Sequence, residues 1–162
     1  MQKKKSEYRK TSSEERENKM KVMVIGGGGR EHAIIKCLKK SPAIDSMFAL
    51  PGIGGIAEYA VCVNIGAKDI KAIVDFAKKE NIDYAVVAPD DPLVLGCVDA
   101  LGEIGVKCFG PDKKAAIIEG SKVFSKNLMK KYGIPTAEYF VFDNPEDALN
   151  HLKTADIPVL IK

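Results

Sequence analysis

Apolar and polar positions along the chain fall into alternating short blocks. Residues 20–25 end in the apolar run Val22, Met23, Val24 and Ile25, as a buried parallel strand does, and pass straight into glycines at 26–29. From residue 30 to about 40 apolar residues recur at helical spacing, with Ala33, Ile34, Cys37 and Leu38 on one predicted face, and Pro42 ends the helix. Residues 46–50 predict a short second strand stopped by Pro51-Gly52, and 60–63 a third. Asp69 suits the N-cap of a helix whose stripe is Ile70, Ile73, Val74 and Ala77 and which Asn81 closes. Residues 83–88 form a strong strand that ends in Pro89-Asp90-Asp91-Pro92. A helix over 93–104 and a strand over 106–109, leading to Gly110-Pro111, complete the series.

Strands alternating with helices predict an open α/β domain, a parallel sheet flanked by helices. Right-handed crossovers bring all the strand ends to one edge, which is where such sheets bind ligands. That edge collects the turn at 26–29, a second glycine-rich loop at 51–56, the Pro89–Pro92 stretch and Gly110-Pro111.

Beyond residue 112 the texture changes. A short helix over 113–119 is broken by Gly120-Ser121, and Ser121 caps a helix over 122–132. Val123, Leu128 and Met129 face inward there, and Lys122, Lys126, Lys130 and Lys131 outward. Gly133 and Pro135 stop that helix. Residues 138–142 predict a strand, Asn144-Pro145 opens a helix ending near residue 153, and 158–162 predict a last strand. A strand with nothing after it suggests a domain cut short.

Charge sharpens the picture at the N-terminus. Residues 1–19 hold seven Lys/Arg and four Glu and so carry the whole formal +3, while the other 18 basic and 18 acidic residues balance. The first 19 residues therefore read as a solvated, disordered extension, and the neutral remainder gives no support to a nucleic-acid partner. No apolar run approaches the roughly 18 residues of a membrane span, and no secretory signal is present. Cys37, Cys62, Cys97 and Cys108 lack metal-ligand spacing, which favours free thiols in a reducing cytoplasm over a zinc site.

The glycine turn carries the candidate chemistry. A dinucleotide fingerprint would need a third glycine at 31 or 32, where Glu31 and His32 stand, and an acid at the end of the second strand, where Ala49-Leu50-Pro51 stand. A phosphate-binding P-loop needs Lys-Ser/Thr after the glycines, and none follows. What remains is a single phosphate or carboxylate held by backbone N–H groups at a helix N-terminus, with Arg30 beside it. Four consecutive glycines lose much conformational entropy on folding, so a tight turn alone is an uneconomical explanation. His32 fits capping, packing or ligand contact equally.

Taken together, Val-Ile-Gly-Gly-Gly-Gly-Arg-Glu-His-Ala (24–33), Pro51-Gly52, Pro-Asp-Asp-Pro-Leu-Val-Leu-Gly (89–96), Phe-Gly-Pro (109–111), Glu-Gly-Ser-Lys (119–122) with Phe124 and Lys126, and Ile-Pro-Thr-Ala (134–137) carry a resemblance. From residue 20 to 162 the chain resembles the N-terminal part of the phosphoribosylamine–glycine ligase (glycinamide ribonucleotide synthetase) family. The resemblance implies a Rossmann-like pre-ATP-grasp domain over 20–120, after the extension at 1–19, and an incomplete ATP-grasp segment over 121–162. It implies ATP-dependent joining of glycine to 5-phosphoribosylamine through a glycyl phosphate, in purine biosynthesis in the cytoplasm. Gly27, Gly28, Gly29, Arg30 and Glu31 carry over as candidates for the sugar phosphate and its surroundings, and Asp90 and Asp91 for ribose hydroxyls or the substrate amine. Lys122 and Lys162 carry over as contacts to ATP phosphates, although Lys122 also fits a solvated helix face shared with Lys126 and Lys130. The Mg2+ or Mn2+ that accompanies ATP would find its ligands past residue 162, in a missing C-terminal portion of the enzyme.

The chain departs from the family in two loops. The family usually has Glu-Ala at 90–91 and Asn-Ala-Gly at 53–55, where this chain has Asp90-Asp91 and Ile53-Gly54-Gly55. A non-catalytic phosphoribosyl-binding module and another ATP-grasp amine ligase of purine synthesis are the alternative readings.

Overall fold

The computed structural model describes residues 19–156 and 158–161. The extension at 1–18 and the lysine at 162 lie outside the described residues. Two compact units divide the chain, one up to Gly120 and one from Ser121.

In the first unit, five parallel strands form one sheet in the order β3-β2-β1-β4-β5. They are β1 (Met20–Gly26), β2 (Ile44–Pro51), β3 (Val61–Cys62), β4 (Tyr84–Val87) and β5 (Lys107–Phe109). The helices are α1 (Gly29–Leu38), α2 (Ile70–Glu80), α3 (Asp90–Val94), α4 (Cys97–Glu103) and α5 (Lys113–Gly120), with a 3-10 turn at Gly54–Glu58. Successive side chains of a strand point to opposite faces, and β1 is buried on both. Met23 and Ile25 join Leu50, Ile73, Ala77, Ala85, Val87, Cys97 and Leu101 on one side. Val22 and Val24 join Ile35, Met47, Ala49, Ile56 and Val86 on the other. This double coverage is why the β1 run contains no alternation.

The chain winds outward from β1 through β2 to β3, then crosses back to β4 on the other side of β1. The reversal opens a crevice between the ends of β1 and β4, where Ile25 pairs with Val87. The glycine turn follows β1, and Pro89-Asp90-Asp91 follows β4.

Several expected elements are corrected by the structure. The buried face of α1 is Glu31 and Ile35, with Ile34 and Leu38 half-buried and Ala33 and Cys37 exposed. Apolar residues occupy two adjacent faces of this helix, so periodicity could not fix which one meets the sheet. The helix expected over 93–104 is two helices separated by Gly96, whose φ of 89° no continuous helix accommodates. Asp90 and Asp91 accordingly sit in the first turn of α3 rather than in a loop. Asp69 caps α2 as its position predicts, accepting the Ala72 N–H at 3.0 Å, and Asn81 ends that helix in the left-handed region.

The second unit has α6 (Lys122–Lys131) and α7 (Pro145–Leu152). Ser121 Oγ accepts the Phe124 N–H at 3.2 Å, and Asn144 Oδ1 accepts the Asp147 N–H at 2.9 Å, so both helices carry the caps their sequences predict. Lys126 Nζ donates to Thr136 Oγ1 at 2.6 Å and to the Ala137 carbonyl at 2.9 Å, and Tyr139 donates to Asn127 Oδ1 at 2.7 Å. These bonds bind the segment after α6 back onto that helix. Residues 138–142 and the described residues 158–161 are not strands. A strand needs a neighbouring backbone to pair with, and among the described residues none runs alongside. Neither helix of this unit buries a residue fully.

Candidate functional site

The turn at 26–29 is built by different constraints on each glycine. Gly26 has φ 118°, and a β-carbon there would stand 2.8 Å from Glu31 Cδ and 2.9 Å from Pro89 Cγ. The fold requires this glycine. A β-carbon on Gly27 would make ordinary contacts with Ile53 and Gly52 of the second glycine loop, at 3.5 Å and beyond, and on Gly29 it would meet nothing within 4 Å. Packing therefore explains one glycine of the turn and leaves Gly27 and Gly29 for another purpose.

Gly28 is the N-cap of α1, and its N–H donates to Glu31 Oε2 at 2.6 Å. Glu31 is the third residue of the helix, the position from which a carboxylate returns to cap the turn. One of the N–H groups expected to face an anion is thus already used. Gly29, Arg30 and Glu31 form the first turn, where N–H groups have no acceptor within the helix, and Arg30 is exposed beside them. A helix dipole and three such donors favour negative charge.

Two buried side-chain atoms lack partners among the described residues, Glu31 Oε1 and His32 Nε2. An unmet buried polar atom costs about 1–3 kcal/mol. Both are in the first turn of α1, on either side of it. Glu31 is 4% exposed and lies toward Pro89, whereas the His32 ring packs on Gly55 and on Tyr59, 5.7 Å away between centroids. His32 is thus a packing residue between the two glycine loops. The Gly52 N–H donates to the Gly26 carbonyl at 3.3 Å and draws those loops together.

Asp90 and Asp91 are both exposed on the β4 side of the crevice. Asp91 pairs with Lys68 at 2.5 Å, and the pairing raises the Lys68 pKa above its ordinary value, with a smaller contribution from Asp90. Lys68, Asp90, Asp91, Val94, Leu95 and Gly120 line a recess of about 270 Å³. Lys68 had no sequence signal, since 23 residues separate it from its partner. Glu31 had one, the spacing of a capping box. The structure thus brings together the turn and Pro89, the residue just ahead of Asp90 and Asp91 in α3. In the second unit, Lys122 is exposed in the first turn of α6.

Among the described residues, no helix is long and apolar enough to cross a membrane and no group of three His, Cys, Asp or Glu is placed to hold a metal ion.

A parallel sheet with a glycine turn beside its switch point, followed by a second unit that opens with a capped, lysine-rich helix, defines an α/β domain of the kind that precedes an ATP-grasp domain. Residues 20–119 match the N domain of phosphoribosylglycinamide synthetase, and residues 120–162 match the ATP-grasp (A) domain of the same family. The chain belongs to the phosphoribosylglycinamide synthetase family. It is 48% identical over 143 residues to the phosphoribosylamine–glycine ligase of Caldanaerobacter subterraneus subsp. tengcongensis, covering 88% of this chain and 34% of that protein. The enzyme of the same name from Clostridium acetobutylicum is 45% identical over the same shares. The solved phosphoribosylamine–glycine ligase of Thermotoga maritima superposes with a TM-score of 0.57 at 31% identity, over 84% of this chain and 31% of that one. The chain spans about a third of the length of the curated relatives it matches.

Proposed function

We propose that this chain forms the phosphoribosyl-binding part of an ATP-dependent carbon–nitrogen ligase that joins glycine to 5-phosphoribosylamine in purine biosynthesis. The names of its relatives support the reaction. The observation that carries the site is Gly29, a first-turn helix residue with open space where its β-carbon would be, next to exposed Arg30. A glycine that packing does not require suits a place where a ligand approaches bare backbone.

The substrate phosphate takes the first-turn N–H groups and the Arg30 guanidinium, which can bind it through two parallel hydrogen bonds. Gly27 and Gly28 keep the backbone accessible, and Glu31 faces the substrate from beneath the turn. Asp90 takes ribose hydroxyls or the substrate amine. Asp91 shares its charge with Lys68 and contributes less. In this reading residues 20–120 are the substrate domain and 121–162 the opening of the ATP-grasp domain, with 1–19 as an extension. Exposed Lys122 supplies a counter-charge to ATP phosphates, and Lys162 does the same. ATP makes the glycine carboxylate reactive as glycyl phosphate, from which the substrate amine displaces phosphate. The accompanying Mg2+ or Mn2+ takes its ligands from outside the described residues, and the full reaction needs the C-terminal portion of the longer relatives. A cytoplasmic setting fits a step of this metabolism.

Calorimetric titration of the chain with ribose 5-phosphate, a stable stand-in for the amine, tests the site. Binding by the wild type that weakens about tenfold or more in Arg30→Ala is expected, the size of a lost charge-assisted bond. No binding by the wild type, or equal binding by the variant, overturns the assignment.

A further inference from the structure

Glu31 combines burial, charge and an unmet hydrogen bond. It is 4% exposed, its Oε2 is committed to the Gly28 N–H, and its Oε1 has no partner among the described residues. Its carboxyl carbon and the Pro89 ring converge on Gly26, at the junction of the β1 and β4 ends. A carboxylate in this position repels a phosphate seated deep in the turn and asks instead for a hydrogen-bond donor.

We infer that the turn recognises its ligand in two parts. The phosphate stays outward at Gly29 and Arg30, and Glu31 Oε1 accepts a hydrogen bond from a donor on the sugar, either a ribose hydroxyl or the group on the anomeric carbon. Oε1 is itself buried, so the donor reaches it by displacing the Pro89 ring that packs beside it at Gly26. This rests on the phosphoribosyl-binding reading above and adds what discriminates a phosphorylated sugar from a bare phosphate. Glu31 is a specificity-determining contact, and its capping bond holds it in place.

Glu31→Gln separates the two roles. Only the amide oxygen can accept the Gly28 N–H, so the cap survives and the NH2 group replaces the unpaired Oε1 with a donor. Thermal unfolding identifies whether the variant is folded, and titrations with ribose 5-phosphate and with inorganic phosphate read its specificity. We expect ribose 5-phosphate affinity to fall about tenfold or more, with inorganic phosphate bound as tightly as by the wild type or more tightly. Independent confirmation comes from the wild type alone: the 13C resonance of the Glu31 carboxyl carbon shifts on addition of ribose 5-phosphate and not of inorganic phosphate. Repeating both with 1,4-anhydroribitol 5-phosphate, which keeps the furanose ring but lacks the anomeric donor, assigns the bond. Dependence on Glu31 that persists points to a ring hydroxyl, and dependence that vanishes points to the anomeric group. Equal loss of both ligands in Glu31→Gln, no loss of either, or a silent carboxyl resonance overturns the inference while leaving the phosphate site standing. A wild type that binds neither ligand removes both readings.

Discussion

The imidazole of His32 lies against Gly55 so closely that a β-carbon on Gly55 would stand 2.9 Å from Cε1. The contact joins α1 to the second glycine loop, and it makes the two residues one packing unit. Gly55→Ala should cost about 1–3 kcal/mol of stability by overpacking. In the His32→Ala background the same change should cost clearly less, because the ring that obstructs the methyl group is gone. Denaturant unfolding of the two single variants and the double variant measures the coupling, and strict additivity would contradict the packing role.

The glycines of the first turn should separate by what they do. Gly26→Ala places a side chain in the left-handed region and into Glu31 and Pro89, so a loss of about 2–4 kcal/mol is expected. Gly29→Ala meets open space at the start of a helix and should leave stability unchanged or raise it by up to about 1 kcal/mol. Its methyl group stands where the ligand approaches, so ribose 5-phosphate binding should nonetheless weaken. A Gly29→Ala variant with full affinity would show that the backbone there need not be bare.

These contrasts mark how far the sequence could be read. The order of strands and helices was legible because β1 and β4 are unbroken apolar runs, α2 has a clear helical stripe, and Asp69, Ser121 and Asn144 cap where they stand. The phase of α1 was not, since Ile34, Ile35, Cys37 and Leu38 give two faces of similar apolarity, and only contact with the sheet selects Ile35. The break at Gly96 was missed because a single glycine within a helical pattern is usually tolerated. The candidate site was legible as a turn with Arg30. The partners that give it shape were not: Pro89 on Gly26, His32 on Gly55 and Lys68 on Asp91 are all meetings of distant segments. The expected strands at 138–142 and 158–162 had strand-like residues, but pairing is a property of the neighbour as much as of the segment.

The thiols should divide into two pairs. Cys37 and Cys62 are exposed, Cys97 is buried and Cys108 half-buried. Burial pushes the Cys97 thiol up to about 12 and the Cys108 thiol up to about 11, with Cys108 adding to the shift at Cys97. Alkylation near pH 8 followed by mass spectrometry should label Cys37 and Cys62 rapidly and spare the other two until the chain unfolds. A thiol that ionises less readily when folded binds its proton more tightly in the native state. The stabilisation from Cys97 is therefore complete below the ordinary value of 9.0 and is lost as pH rises from there toward about 12. Replacing Cys97 with Ala or Ser should flatten the decline of stability over that alkaline window, and an unchanged slope would assign the decline to other groups.

The second unit predicts its own solution behaviour. Phe140, Val141 and Leu149 are 57%, 47% and 61% exposed, and among the described residues beyond them Leu160 and Ile161 reach 81% and 75%. Among the described residues, the rings of Phe140 and Phe142 meet each other and His151, whose ring lies 4.1 Å and 5.2 Å from theirs. Apolar surface of this extent ordinarily meets a partner or binds whatever is available. The first unit, in contrast, buries Met23, Ile25, Leu50 and Leu101 completely in its own core. Its boundary falls after Gly120, because α5 buries Ala116 in that core and a β-carbon on Gly120 would collide with Val94. A chain ending at residue 120 should therefore unfold cooperatively and bind little of a hydrophobic dye, whereas the 162-residue chain should bind it strongly and associate as its concentration rises. A chain ending at 112 should lose stability relative to the one ending at 120, by about 2 kcal/mol or more for the loss of a packed helix. Equal dye binding by the 120- and 162-residue chains would mean that the apolar residues of the second unit are covered in solution.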